Sequence, residues 1–205
     1  MDDSTHPSKE ARIADLRPTQ MTVGYEEVAR KRKEWRERTS EEAKHFLHDH
    51  RFPAIRGPNK RYYIVDHHHL GRALLEEKVE IALIAVLQDL SHLNQDEFWI
   101  VMEYHQWTHP YDEKGKRRSF SDMPKKLKQL PDDPYRSLAA EVRRVGEYPK
   151  DTTPFSEFLW ADYFRRRIPR ATLRDDPGKA LERARKLARK REAAHLPDWS
   201  AISES

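Results

Sequence analysis

Three consecutive histidines behind an aspartate, Asp66-His67-His68-His69, are the residues of this chain best suited to chemistry. They stand between an apolar run that ends at Val65 and a helical pattern from Leu70 onward. A strand that feeds a helix N-terminus presents unpaired backbone N–H groups and the positive end of the helix dipole, which suits a phosphate. Imidazoles there add hydrogen bonds or positive charge, depending on whether a bound anion or the dipole dominates their protonation. Asp66 can orient an imidazole, hold a metal ion or cap the helix. Three successive histidines cannot share one helical face, so at most two would ligate a single ion. Two more carboxylates, Glu26 and Glu27, follow Gly24. Either can act as a general base or hold a metal ion, although the helix dipole alone also favours glutamate in a first turn.

Two further clusters carry less chemistry. His105 and His109 are four residues apart, a spacing that can clamp a metal, but Trp107-Thr108 and Pro110 signal a helix that is ending. Glu157 and Asp162 sit among Phe155, Phe158, Trp160, Tyr163 and Phe164. Those aromatics read as a helical core stripe, and the carboxylates either face a site or pair with Arg165 to Arg167.

The elements that must hold these residues follow from periodicity. Residues 1–11 are polar and expected to fray. Ile13 to Arg17 alternates as a short strand would, ended by Pro18. Gly24 opens a helix through Arg38 with Tyr25, Val28, Ala29 and Trp35 on one side. Thr39 and Glu42 have capping-box spacing ahead of a second helix with Ala43, Phe46 and Leu47 buried. Phe52–Arg56, the turn Gly57-Pro58-Asn59-Lys60 and Arg61–Val65 read as strand, turn, strand. His67–Glu77 is helical, and Val79–Leu87 is continuous enough to be a buried strand. Asn94 caps a helix to about Thr108. His109–Phe120 is a polar loop, and Ser121 caps a short helix ending before Pro131. Asp133-Pro134, Thr153-Pro154 and Asp176-Pro177 each start a further helix, the last being an arm over Lys179–Ala194. The expected fold is α+β, a small mixed sheet followed by a helical C-terminal region. Residues 12–90 form the α+β core, 91–168 a helical extension packed on it, and 169–205 a basic arm and tail.

Composition narrows the classes. Among 205 residues there is no cysteine, which excludes disulfides, thiolate zinc sites and a cysteine nucleophile, and is compatible with the cytoplasm. The longest apolar candidate, Val79–Leu87, is too short for a membrane span and holds Glu80, so no membrane role is expected. Charged residues reach 36%, yet five Trp, eight Tyr and seven Phe supply large side chains for a core. Between Arg165 and Arg191, twelve Arg or Lys face Asp175, Asp176 and Glu182, a balance of +9. With +4 overall, the remainder carries −5. The arm is either a solvated, salt-bridged helix or a non-specific polyanion surface, with Arg165, Arg166, Arg167, Arg185, Lys186 and Arg189 as its nucleic-acid candidates. No helix-turn-helix or zinc finger is evident.

The run Tyr62 to Leu70, followed by Arg72-Ala73-Leu74, resembles the signature of the ParB/sulfiredoxin superfamily. Leu16 to Gln20 with Val23-Gly24, and the later segment Thr153 to Asp162, extend the likeness to the ParB-like nuclease family over residues 13–168. The resemblance implies a strand ending in an Asp-Gly-His-His-Arg-like turn, with nucleotide phosphate at the following helix N-terminus. Asp66, His68 and His69 occupy matching positions, while His67 replaces the glycine and Leu70 the arginine. Loss of that arginine removes a preferred phosphate ligand, and Arg72, two residues on, points elsewhere on a helix. Sulfiredoxin chemistry is excluded for want of a cysteine. The resemblance also sets the segment of Glu26 and Glu27 beside the phosphate turn. The expected function is thus a phosphate-ester enzyme, a nuclease or nucleotide-dependent phosphotransferase. Asp66, His68, Glu26 and Glu27 are its catalytic candidates, and His67, His68, His69 and Arg72 bind phosphate. Asp66 would hold any divalent metal such as magnesium. The alternative is a non-catalytic nucleotide- or DNA-binding module of the same fold.

Overall fold

Five short strands organise the first part of the chain in a computed structural model that describes residues 8–149 and 155–199. They are β1 (Ser8–Arg12), β2 (Arg17–Pro18), β3 (Phe52–Gly57), β4 (Arg61–Ile64) and β5 (Ile81–Asp89). Their order is β1-β5-β3-β4-β2. β1 with β5 and β3 with β4 are antiparallel; β3 with β5 and β2 with β4 are parallel. The sheet is therefore mixed and the fold α+β, as expected from the sequence. Helices α1 (Tyr25–Arg36), α2 (Ser40–Asp49), α3 (His68–Glu76) and α4 (Gln95–Tyr104) complete this unit, which comprises Met1–Asp112 and Lys116–Asp132.

Period-two alternation divides the core between the two sheet faces. Ile64, Phe52, Ala54 and Ile84 pack with Val28 of α1 and Leu70, Ala73 and Leu74 of α3. Tyr63 and Ile55 pack on the other side with Phe98, Trp99 and Met102 of α4. The close fit at β3 requires Gly57, where a Cβ would lie 2.7 Å from the rings of both Phe98 and Tyr63. The capping boxes at Thr39 with Glu42 and at Asn94 with Glu97 both form.

The second unit, Glu113–Gly115 with Asp133–Ser205, is helical: α5 (Pro134–Arg144), α6 (Ser156–Arg165), α7 (Arg170–Asp175) and α8 (Pro177–Ala188). Asp133 and Asp176 cap α5 and α8 by accepting from Tyr135 N–H and Lys179 N–H. Trp160 centres its core, stacked on Tyr148 at 4.0 Å with the planes 2° apart. The arm is part of that core. Ala180, Ala184 and Ala188 form a buried stripe along α8, and Arg185 and Arg189 both bond the carboxylate of buried Glu147. Burial pushes the Glu147 carboxyl up, but hydrogen bonds from Arg189 and Arg185 outweigh it and hold the group below its ordinary range.

Several local expectations are corrected. Residues 8–11, expected to fray, belong to β1, because backbone pairing to β5 needs no apolar side chain at a sheet edge. Ile13–Arg17 is not a strand but a 3-10 turn over Ile13–Asp15 followed by β2. Ile13 and Leu16 are both buried, and a tight turn sends residues three apart to one side. The short helix expected after Ser121 is instead two 3-10 turns, Phe120–Asp122 and Leu127–Gln129, separated by Pro124. α4 stops at Tyr104, ahead of the expected Thr108, and Gln106 takes a left-handed φ of 56°. The start signal Thr153-Pro154 lies outside the described residues. Among the described residues no helix is long and apolar enough to cross a membrane.

Candidate functional site

α3 begins at His68 because His67 adopts φ 63° and ψ 22°, a left-handed geometry that redirects the chain out of β4. That geometry favours glycine, so a histidine there stores strain of about 1 kcal/mol. Ring contacts with Phe52, centroids 5.8 Å apart, and His50, at 6.5 Å, help to hold it. Asp66 is exposed, and its Oδ1 accepts from His67 N–H at 2.6 Å. No side chain caps the N-terminus of α3 itself.

The next two imidazoles are occupied by the backbone. His68 is buried, and its Nε2 accepts the Thr19 N–H at 3.1 Å. Thr19 Oγ1 lies 3.4 Å from the same nitrogen and donates to the Ile64 carbonyl at 2.8 Å. His69 Nε2 accepts the Gly24 N–H at 3.0 Å. An imidazole nitrogen that accepts an N–H bond carries a lone pair there, not a proton. These two nitrogens therefore fasten the segment Thr19–Gly24 to α3. From its other side the segment is held by Thr108 Oγ1 and His109 N–H, both donating to the Thr19 carbonyl, and by Val23 N–H donating to the Pro131 carbonyl. Bonds across 49 and 45 residues of sequence carry no local signal. The only hint was a run of small and polar residues, Thr19, Gln20 and Thr22, that proves to be buried.

The other candidates are placed as follows. Arg72 spans from Glu76, at 2.5 Å, to the carbonyls of Leu127, Lys128 and Leu130 at 3.3, 2.9 and 3.1 Å, and so ties α3 to the 3-10 turn below it. Glu27 is buried and ion-paired with Arg30, while Glu26 is exposed on the first turn of α1. His105 stacks on Trp107 at 4.3 Å, and His109 lies beyond the helix end against Tyr111. Among the described residues no group of three or more His, Asp or Glu is arranged to hold a metal ion. In the second unit, Arg165 pairs with Asp133 and Asp162, and Arg166 with Asp162. Arg167 lies over the Tyr163 ring at 3.8 Å, whereas Lys186 is exposed. Glu157 pairs with Arg143.

α1 is braced against the C-terminal end of α3 by Arg32 and Arg36, which bond Glu77 at 2.6–2.7 Å. The hydrogen bond from Arg36 is the largest of the influences that hold the Glu77 carboxyl down to about 2 from its usual 4.5, against some desolvation. A depressed carboxylate contributes stability above its unfolded pKa that is lost as pH falls through the folded value. Acid titration from pH 4.5 to 2 should therefore weaken the fold, and Glu77→Gln should flatten that limb. The variant should also lose about 1 kcal/mol at neutral pH after solvent screening, measured by urea unfolding at each pH.

The family model described as "Putative ParB-like nuclease" matches residues 9–166. The crystal structure of protein Atu1540 from Agrobacterium tumefaciens is 46% identical, with a TM-score of 0.88 over 96% of this chain and 99% of that one. No curated protein matches the chain.

Proposed function

The chain belongs to the ParB-like nuclease family, and from that membership we propose that it acts on phosphate esters of nucleotides or nucleic acid, receiving the phosphate at the N-terminus of α3. One observation carries this reading: the helix starts directly behind a left-handed residue, with no side-chain cap, beside an exposed carboxylate. Backbone donors and the helix dipole there favour a phosphoryl oxygen. His68 and His69 serve as positioning residues, since their Nε2 atoms hold the Thr19–Gly24 segment in place. Arg72 steadies the same helix by donating to the Lys128 and Leu130 carbonyls.

Asp66 supplies the chemistry of the turn. Its exposed carboxylate can take a proton from an attacking water or hydroxyl. The donor set fits a magnesium ion only in part. One carboxylate makes no cage, but magnesium usually keeps several waters and draws further ligands from substrate phosphates. When bound, such an ion would neutralise phosphoryl charge that Asp66 would otherwise repel.

The test is release of nucleotides from an oligonucleotide by the full chain, with and without magnesium. Asp66→Asn keeps an acceptor for His67 N–H but removes the charge. Turnover should fall about 100-fold or more while thermal unfolding stays unchanged. Unaltered turnover would remove Asp66 from the site. A second reading, a binding module without catalysis, is favoured by the use of both imidazoles as backbone acceptors. It expects salt-steep nucleic-acid binding and no released nucleotide.

A further inference from the structure

A pocket of about 600 Å³ opens on the sheet face opposite α3, and three features of it converge on one kind of ligand. The first is charge. Arg17 pairs with Tyr63 in the parallel register of β2 and β4, and Arg61 lies two residues before Tyr63 on β4. Paired strand residues share a face, as do residues two apart, so both guanidinium groups are sent to the same side. Lys125 joins them in the pocket lining. Asp96 is the one carboxylate among the lining residues, so three cations face a single anion there and the lining is net positive.

The second is desolvation. Arg17 is half-buried, and burial followed by the field of Arg61 makes its charged form less favourable than usual. Arginine nevertheless stays protonated at neutral pH. Two converging cations, one partly withdrawn from water, form an arrangement that an anion relieves. The third is the wall. Trp99 and Phe120 are stacked at 5.0 Å with their planes 4° apart, and both line the pocket with Tyr63.

We propose that this pocket is a second anion site, which takes a phosphate monoester of a flat ring, the chemical class of the nucleoside monophosphates. Arg17 and Arg61 receive the phosphate, for which guanidinium forks are the preferred ligands. The ring packs against the edge of the Trp99–Phe120 stack, since Trp99 is 6% exposed and Arg117 lies over Phe120, and Gln95 and Asp96 at the start of α4 offer polar partners to it. The volume lies within the range of small-ligand sites. The site is separate from the α3 turn and does not depend on phosphate binding there.

The test uses AMP, adenosine and inorganic phosphate as probes of the full chain, by calorimetry and by the Trp99 indole N–H signal in NMR. That signal is assigned by its loss in Trp99→Phe. AMP should bind, should shift the Trp99 signal, and should bind more tightly than adenosine or phosphate. Arg17→Gln with Arg61→Gln should weaken AMP at least about tenfold, the scale of one or two lost charge-assisted bonds, with melting unchanged. Asp66→Asn should leave AMP affinity at this pocket intact, which separates failure here from failure at the turn. An unmoved Trp99 signal would overturn the proposal, as would a Trp99 shift by AMP that is undiminished in the double variant or one that phosphate produces as tightly as AMP. The signal is read in the unmodified chain, so it decides the matter even if the double variant does not fold.

Discussion

Replacing His68 by Ala should lower stability by about 3–4 kcal/mol, a large part of what a domain of this size possesses. The ring is 4% exposed, and Thr19, whose N–H it accepts, is 1% exposed. Truncation thus does two things at once. It opens a cavity at the start of α3, and it leaves a buried backbone donor without an acceptor, which alone costs about 1–3 kcal/mol. His68→Gln separates the contributions, because its side-chain oxygen can reach near the position of Nε2 and accept the same bond. Urea unfolding should therefore rank the wild type above Gln and Gln above Ala. If Gln and Ala lose the same amount, the hydrogen bond to Thr19 contributes nothing and packing explains the whole loss. Equal stability of all three would mean that the histidine does not hold the segment.

The second large effect belongs to the helical unit. Removing both Arg185 and Arg189 by alanine substitution strips buried Glu147 of its cations. An uncompensated buried charge costs about 3–5 kcal/mol; with both arginines about half-exposed, roughly 2–3 kcal/mol is expected here. The pH dependence identifies the cause. With the arginines gone, burial is the influence that remains, and it raises the folded-state pKa of Glu147 above the unfolded one. A raised carboxyl is stabilising while protonated, and that contribution is lost as pH rises through its folded pKa. The double variant should accordingly recover part of its deficit between pH 7 and pH 5, where the wild type should not. Adding Glu147→Gln should recover stability at pH 7 as well. A deficit that is the same at both pH values would point to lost packing of the arginine stems instead.

Much of the framework was legible because it rests on local chemistry. The boxes at Thr39 and Asn94, the aspartate–proline starts at Asp133 and Asp176, and the strand–turn–helix around Asp66 each declare themselves within a few residues. What escaped depends on distant partners. β1 exists because β5 lies beside it, and its own residues, SKEAR, show no strand pattern. The bonds that occupy His68 and His69 come from Thr19 and Gly24, so a cluster of histidines that reads as a set of phosphate donors also proves to be a set of fasteners. The likeness of Leu16–Gln20 to the family motif marked the right segment without saying what its backbone bonds to. Arg17 and Arg61 share a pocket only through a two-residue parallel pairing, which no periodicity within either segment announces. The basic arm was visible as charge, but the commitment of Arg185 and Arg189 to Glu147 needed the fold.

The two margins of the sheet have a consequence for how this protein meets others. β2 is two residues long and ends in Pro18, which has no N–H to offer a neighbouring strand. β1 places Lys9, Glu10 and Arg12 along the opposite margin, side chains that resist stacking against a copy of themselves. A foreign strand therefore finds less purchase at either side than a long apolar edge would give it. The faces and pockets of the sheet offer a partner more specific side-chain chemistry than either margin does.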